Sequence, residues 1–260
     1  MLDLISFLTQ IPVRKHVQIE EVKAKSYLFP FVGVVIGFVV AVVAFGVFGL
    51  LGTATEIAAV LTLLALYLVT GLLHLDGLAD FFDGVMAPGS KEEKRRAMKD
   101  NTIGIAGLFA VVLVLLLSLF AIETVCADLT AAAGFTFDFG SLHRFAGVFV
   151  IAEVAAKLSM NTCLVLGKAS SSAEGLGSQF IRSASPLNYL VALLSAVIFV
   201  VLLTFSFRFV LVFTGVIVAV VVSSIAKRKF GAVSGDVVGA SNELARCATL
   251  LIIAVLQIGL

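Results

Sequence analysis

YLFPFVGVVIGFVVAVVAFGVFGLLG, residues 27–52, contains no charged side chain. As a helix it is long enough to cross the roughly 30 Å hydrocarbon core of a bilayer. Pro30 falls near its start, where a first helical turn tolerates proline. Gly33 and Gly37 form a small-xxx-small pair that lets a second helix lie close. Comparable apolar runs follow at Ile57–Leu75, Ile103–Cys126, 146–167, 188–207, 209–226 and 244–260. With 60% apolar and 13% charged residues in 260, the chain is far from a soluble domain, whose apolar share is nearer half. It reads as an all-α, polytopic transmembrane helical bundle of about seven spans, one membrane domain over residues 1–260. Residues 1–26 form a cytoplasmic or interfacial segment: Leu2, Ile5, Leu8 and Ile11 recur at near-helical spacing, but the run is too short to span. The segment has neither the apolar region nor the cleavage site of a secretory signal.

Basic residues accumulate in cytoplasmic loops and so orient the bundle. With residue 1 inside, that side holds Arg14, Lys15, Lys23 and Lys25, then Lys91, Lys94, Arg95, Arg96 and Lys99, then Lys168 and Arg182, then Lys227, Arg228 and Lys229. Only Arg144 and Arg208 fall in loops of the other side, while Lys157 and Arg246 lie inside spans. The acidic stretch near residue 80 and the loops 168–186 and 227–243 then share the cytoplasmic face of a cell membrane. A net charge of +1, with bases scattered among loops, excludes nucleic acid as a partner. Membrane lipids are the surroundings such a chain requires, and an oligomer is compatible with it. Cys126, Cys163 and Cys247 are odd in number and in or beside apolar runs, which supports packing roles over disulfides or zinc.

The chemistry concentrates in GLLHLDGLADFFD, residues 71–83. On a helix Asp76, Asp80 and Asp83 stand at i, i+4 and i+7 and share one face. At roughly 6 Å and an effective dielectric of about 20, two carboxylates repel by roughly 2–3 kcal/mol. A divalent cation cancels that repulsion, and carboxylates with water suit Mg²⁺, which commonly takes one or two acidic side chains together with substrate phosphates. These three aspartates are therefore candidate metal ligands. Asp100, just before the third span, is placed to return a further oxygen. His74 is a candidate to position a carboxylate or to bind substrate.

Beyond Asp83, GVMAPGS is a turn, and Ser90 with Glu93 forms a capping box opening a short helix that ends at Asp100 and Asn101. SSSAEGLGSQF, residues 170–180, offers Glu174, Gly175 and Gly177 in a loop whose glycines let backbone N–H groups approach an anion. GAVSGDVVGASNE, residues 231–243, carries Asp236 and Glu243 seven apart, a second acidic face if helical, with Ser241 and Asn242 adding polar groups. Such a face beside a membrane calls for a cation, a base or water. Within the fourth span, Glu153 and Lys157 stand four apart and can form an internal ion pair.

HLDGLADFFDG at 74–84 and RRAMKDNTIGIAG at 95–107 resemble the signature of the cobalamin synthase family, the adenosylcobinamide-GDP ribazoletransferases. SFLTQIPV at 6–13, FPFVGVVIG at 29–37, EGLG at 174–177 and GDVVGASNE at 235–243 extend the resemblance along nearly the whole chain. Gln10 and Lys157 stand where the family commonly has arginine. The resemblance implies a membrane transferase of coenzyme B12 biosynthesis, joining adenosylcobinamide-GDP to α-ribazole or its 5'-phosphate with release of GMP and requiring Mg²⁺. It implies that Asp76, Asp80 and Asp83 hold Mg²⁺ against the diphosphate, with Asp100 and Asp236 completing the shell or binding a second ion. One of these carboxylates, or Glu243, then accepts the proton of the attacking ribose hydroxyl, and Lys157 offsets phosphate charge. His74, Glu174, Gly175, Gly177 and Asn242 complete the expected substrate site. Two other readings share the chemistry. A transporter would also place acids in gly-interrupted helices, although no halves repeat here. A CDP-alcohol phosphatidyltransferase also uses clustered aspartates, but Val85-Met86-Ala87-Pro88 follows Asp83-Gly84 in place of that family's DG-xx-AR element.

Overall fold

In the computed structural model, residues 1–13, 16–100, 102–131, 135–170, 175–204 and 207–256 are described, and their helices form one bundle. Two short helices, α1 (Leu2–Leu8) and α2 (Ile19–Ala24), and a 3-10 turn lead into α3 (Phe29–Leu51). Then come α4 (Thr55–Thr70), α5 (Leu73–Met86), α6 (Lys91–Met98) and α7 (Ile105–Ala131). The second half comprises α8 (Phe139–Gly167), α9 (Leu176–Ser183), α10 (Pro186–Thr204), α11 (Phe213–Phe230) and α12 (Gly235–Leu256). Among the described residues six helices, α3, α7, α8, α10, α11 and α12, are long and apolar enough to cross a membrane. The pair α4 and α5 makes a possible seventh passage, bent by 95° at its break. The protein is a multi-pass membrane protein. Large apolar side chains such as Leu108, Phe109, Leu116 and Phe120 of α7 and Leu190, Leu194 and Ile198 of α10 lie exposed on the outside.

The expected continuous span Ile57–Leu75 is corrected by this bend. The chain breaks at Gly71, whose φ of +70° is open to glycine and strained for other residues. Its N–H still bonds to the Tyr67 carbonyl at 2.8 Å and closes α4. The Gln10 N–H donates to the Val69 carbonyl at 2.7 Å, and a Cβ on Gly71 would come 2.5 Å from Gln10 Nε2. The N-terminal segment thus packs under the bundle and seats the corner. The aspartates consequently belong to a separate helix, not to the end of a span.

The stretch 227–243, expected as a cytoplasmic loop in which Asp236 and Glu243 share a face if helical, is mostly helix. Helix α11 runs to Phe230, Gly231 turns the chain, and α12 begins at Gly235, so Asp236 to Glu243 are helical. Counting α4 as a crossing, α5, α6, α9 and the start of α12 gather with α1 and α2 on one side.

At the centre stands α8, with 94% of its most apolar window buried inside the bundle. The Gly33/Gly37 pair does lie against it: a Cβ on Gly37 would meet Val150 Cα at 2.5 Å, and one on Gly33 the Glu153 carbonyl oxygen at 2.7 Å. Gly215 of α11 approaches the Ala155 carbonyl from another side. Backbones in such contact gain dispersion that lipid cannot match. Replacing Gly37 by Leu should force α3 away from α8 and cost at least about 1–3 kcal/mol of stability. A clearly lowered unfolding temperature in detergent is the expected outcome, and an unchanged one would contradict this packing.

Candidate active site

Helix α5 buries Gly77, Leu78, Phe81 and Gly84, which turns Asp76, Asp80 and Asp83 away from the core. The i, i+4, i+7 register expected from sequence is realised. Asp76 is exposed, and Asp80 and Asp83 are half-buried. Helix α12 crosses α5 where neither has a side chain in the way: a Cβ on Gly77 would lie 3.0 Å from the Asp236 carbonyl, and one on Gly239 3.3 Å from His74 Cα. That crossing brings Asp236 to the acidic face, and the charges of Asp76, Asp236 and Asp83 all repel that of Asp80. Among the described residues neither Asp76 nor Asp80 has an ion-pair partner. Among the same residues, no three His, Cys, Asp or Glu side chains converge as a ready-made metal cage.

Asp83 differs from its neighbours. Its two oxygens accept the N–H groups of Gly104 and Gly107, both at 2.8 Å. These are donors left unpaired at the start of α7, so Asp83 caps that helix from a different one, with its charge at the positive end of the dipole. Asp100 is exposed and accepts from the Thr102 side chain and backbone. Those bonds hold its carboxyl below the usual range. In α6 the capping box forms as expected, with Ser90 accepting from the Glu93 N–H at 3.3 Å and its own N–H donating to Glu93 at 2.6 Å. Two of the loop's bases serve the fold: Lys94 donates to the Ala87 carbonyl past the end of α5, and Arg95 to the Phe230 carbonyl at the end of α11 at 2.7 Å.

Deeper in the bundle, four ionised groups meet between α8 and α12. Arg246 pairs with Glu153 through Nε and with Glu243 through Nη1, the latter at 2.6 Å. Lys157 lies 3.6 Å from Glu153 and donates to Asn242 at 2.7 Å. Asn242 donates to Glu243 at 3.0 Å, and the Tyr67 hydroxyl of α4 reaches the same carboxylate at 2.8 Å. The expected Glu153–Lys157 pair is therefore present within a larger network. Lys157, Asn242 and Glu243, expected to touch substrate or accept a proton, are all at most 2% exposed. A substrate contact at any of them would require the network to open. Arg246, whose role went unread, had a signal: it follows Glu243 by three positions within a span. Tyr67 had none.

A cavity of about 510 Å³ opens where α1, α3, α5, α8, α9 and α12 meet, lined among others by Phe7, Phe29, His74, Lys99, Gly175, Gly177, Phe180 and Asp236. It brings four of the expected residues together: His74, Gly175, Gly177 and Asp236. Gly177 admits the backbone of Gly235, so α9 rests on the start of α12. Glu174 lies outside the described residues, as does Asn101.

A family model described as cobalamin-5-phosphate synthase matches residues 1–254. The adenosylcobinamide-GDP ribazoletransferase of Methanococcoides burtonii is 35% identical over 250 residues, covering 96% of this chain and 89% of that protein. Its namesake in Pyrococcus furiosus is 31% identical over 256 residues, covering 98% and 99%. That of Methanosarcina barkeri is 36% identical over 257 residues, covering 96% and 89%. No solved structure matches.

Two substitutions separate the structural carboxylates from the exposed one. Asp83→Ala should cost about 1–2 kcal/mol by uncapping α7, and Asp76→Ala should leave the unfolding temperature unchanged. Arg246→Met strands two buried carboxylates and should cost about 3–5 kcal/mol. Thermal unfolding in detergent reads all three, and equal stability of the Asp83 and Asp76 variants would refute the cap.

Proposed function

The chain belongs to the cobalamin-5-phosphate synthase family, and from that premise we propose that it joins adenosylcobinamide-GDP to α-ribazole, or to its 5'-phosphate, in coenzyme B12 biosynthesis. The products are adenosylcobalamin, or its phosphate, and GMP. A family match running from residue 1 to residue 254 leaves little room for the transporter and CDP-alcohol readings. The observation that carries the mechanism is the acidic face of α5, where Asp76 and Asp80 stand without basic partners among the described residues and Asp236 joins them across the α5–α12 crossing.

In this reaction a ribose hydroxyl oxygen bonds to the phosphorus that carries the cobinamide. The bond from that phosphorus to the bridging oxygen breaks, and its electron pair leaves with GMP. Phosphoryl transfer of this kind depends mostly on alignment and charge neutralisation. Magnesium fits the donors on this face, since it is commonly held by one or two carboxylates with water and substrate phosphates, and Asp76 and Asp80 stand one turn apart with no ion-pair partner among the described residues. When bound, it would offset the diphosphate charge and stabilise the departing oxygen.

The remaining roles fall to the chain's own groups. Asp236 or Asp80 accepts the proton of the attacking hydroxyl, both being half-buried and without a salt bridge among the described residues. Lys99 stands near enough to Asp236 for its charge to bear on it, and both line the cavity. It is placed to meet a phosphate there. Glu243, Asn242 and Lys157 act by holding α12, and hence Asp236, in register. The abundance of lysine and arginine beside α5, α6 and the end of α11 favours a cytoplasmic site in a cell membrane.

Asp80→Asn should lower turnover about a hundredfold or more, the scale of losing an electrostatic or proton-transfer partner. Its unfolding temperature should stay at the unaltered value. Chelation should abolish adenosylcobalamin formation and added Mg²⁺ restore it, followed by chromatography of product and GMP. Full turnover in chelator, or in the Asp80 variant, would overturn this mechanism.

A further inference from the structure

The two substrates named in the proposed reaction differ greatly in bulk, and the size of the cavity beside Asp236 suits one of them only. At about 510 Å³ it lies within the range that encloses a drug-sized molecule. A corrinoid carrying a nucleotide is far too large for it. The acceptor is a riboside of one flat aromatic base, which is of the right size. Resting on the reading above, we propose that this cavity is the ribazole subsite, with the aromatic base against Phe7, Phe29 and Phe180 and the ribose toward Asp236 and Lys99.

The lining supports that assignment from both ends of the ligand. Phe7 and Phe180 stack with centroids 5.2 Å apart and 22° between planes, and Phe29 stands 6.3 Å from Phe180. Three aromatic rings from three different helices therefore gather in one wall, a surface suited to a flat, apolar base. Asp236 and Lys99 form a separate polar part of the lining, where one can take a hydroxyl proton and the other a 5'-phosphate. His74 is also in the wall, 7% exposed, and its Nδ1 has no hydrogen-bond partner among the described residues. A buried polar atom left unpaired is costly, and a sugar hydroxyl would satisfy it. The bulky donor then approaches from the acidic face of α5, so that its diphosphate meets the ribose where α5 and α12 cross.

Met160 and Leu164, one turn apart on α8, line the same cavity and touch none of the acidic residues by hydrogen bond or ion pair. Met160→Trp and Leu164→Phe should fill it. The expected result is a KM for ribazole raised about tenfold or more, with the KM for adenosylcobinamide-GDP unchanged. Phe180→Leu should raise the ribazole KM about five- to tenfold by removing the ring from the wall. In the unaltered protein, ribazole alone should slow amide hydrogen exchange in α9 and around Leu8, and GMP should not. This arm needs no variant to fold. Equal KM changes for both substrates, a change confined to the donor, or ribazole protection that spares α9 would each overturn the subsite. A wild-type protein that makes no adenosylcobalamin and releases no GMP would overturn the underlying reaction instead.

Discussion

Two carboxylates, a guanidinium and an ammonium inside an apolar bundle must cancel one another, and the geometry of this protein follows from how they do so. Glu153 and Lys157 come from α8, Glu243 and Arg246 from α12, and their formal charges sum to zero. An isolated ion at that depth is costly, whereas a neutral, hydrogen-bonded set is tolerable. The set joins α12 to α8 in the register that pairs Arg246 with Glu153 and Lys157 with Asn242. Tyr67 of α4 and Asn242 fill the remaining hydrogen-bonding positions, which ties three helices to the same point. Two turns along α12 toward its start, Asp236 inherits that register.

Small residues make the second constraint. Where α3 meets α8 the backbones leave no room for a Cβ at Gly33 or Gly37, and where α5 meets α12 a Cβ at Gly77 or Gly239 would be tight. Helices so placed have little freedom to slide, and the acidic face of α5 is presented at a fixed height relative to Asp236. The ion network sets the rotation of α12 and the glycine contacts set its distance, so the two act on different coordinates of the same helix.

Much of this was legible in the sequence. The long apolar runs identify membrane helices, the Gly33/Gly37 pair marks a close contact, Ser90 and Glu93 mark a helix start, and the aspartates share the face that their spacing requires. The misreadings have physical causes. Gly71 in GLLH looks like one more glycine in a membrane helix, because the corner depends on a positive φ and on Gln10, remote in sequence. GAVSGDVVGASNE looks like a loop because it is rich in glycine and polar groups, yet it is helical because those groups find partners on α4 and α8. For Glu243, Asn242 and Lys157 the sequence shows charge and polarity without showing the buried partners that the structure supplies, Arg246 and Tyr67 among them. The cavity was invisible, since its aromatic wall joins α1, α3 and α9.

The twin bonds from Asp83 to the amides of Gly104 and Gly107 at the start of α7 fasten α5 to an outer strut of the bundle, whose Leu108, Phe109 and Leu116 face outward. A bilayer thicker or thinner than this strut tilts it. Any such tilt loads α5 through those two bonds, and the close contact of α5 with α12 at Gly77 and Gly239 resists it. The thickness of the surrounding lipid therefore bears mechanically on the helix that carries Asp76, Asp80 and Asp83.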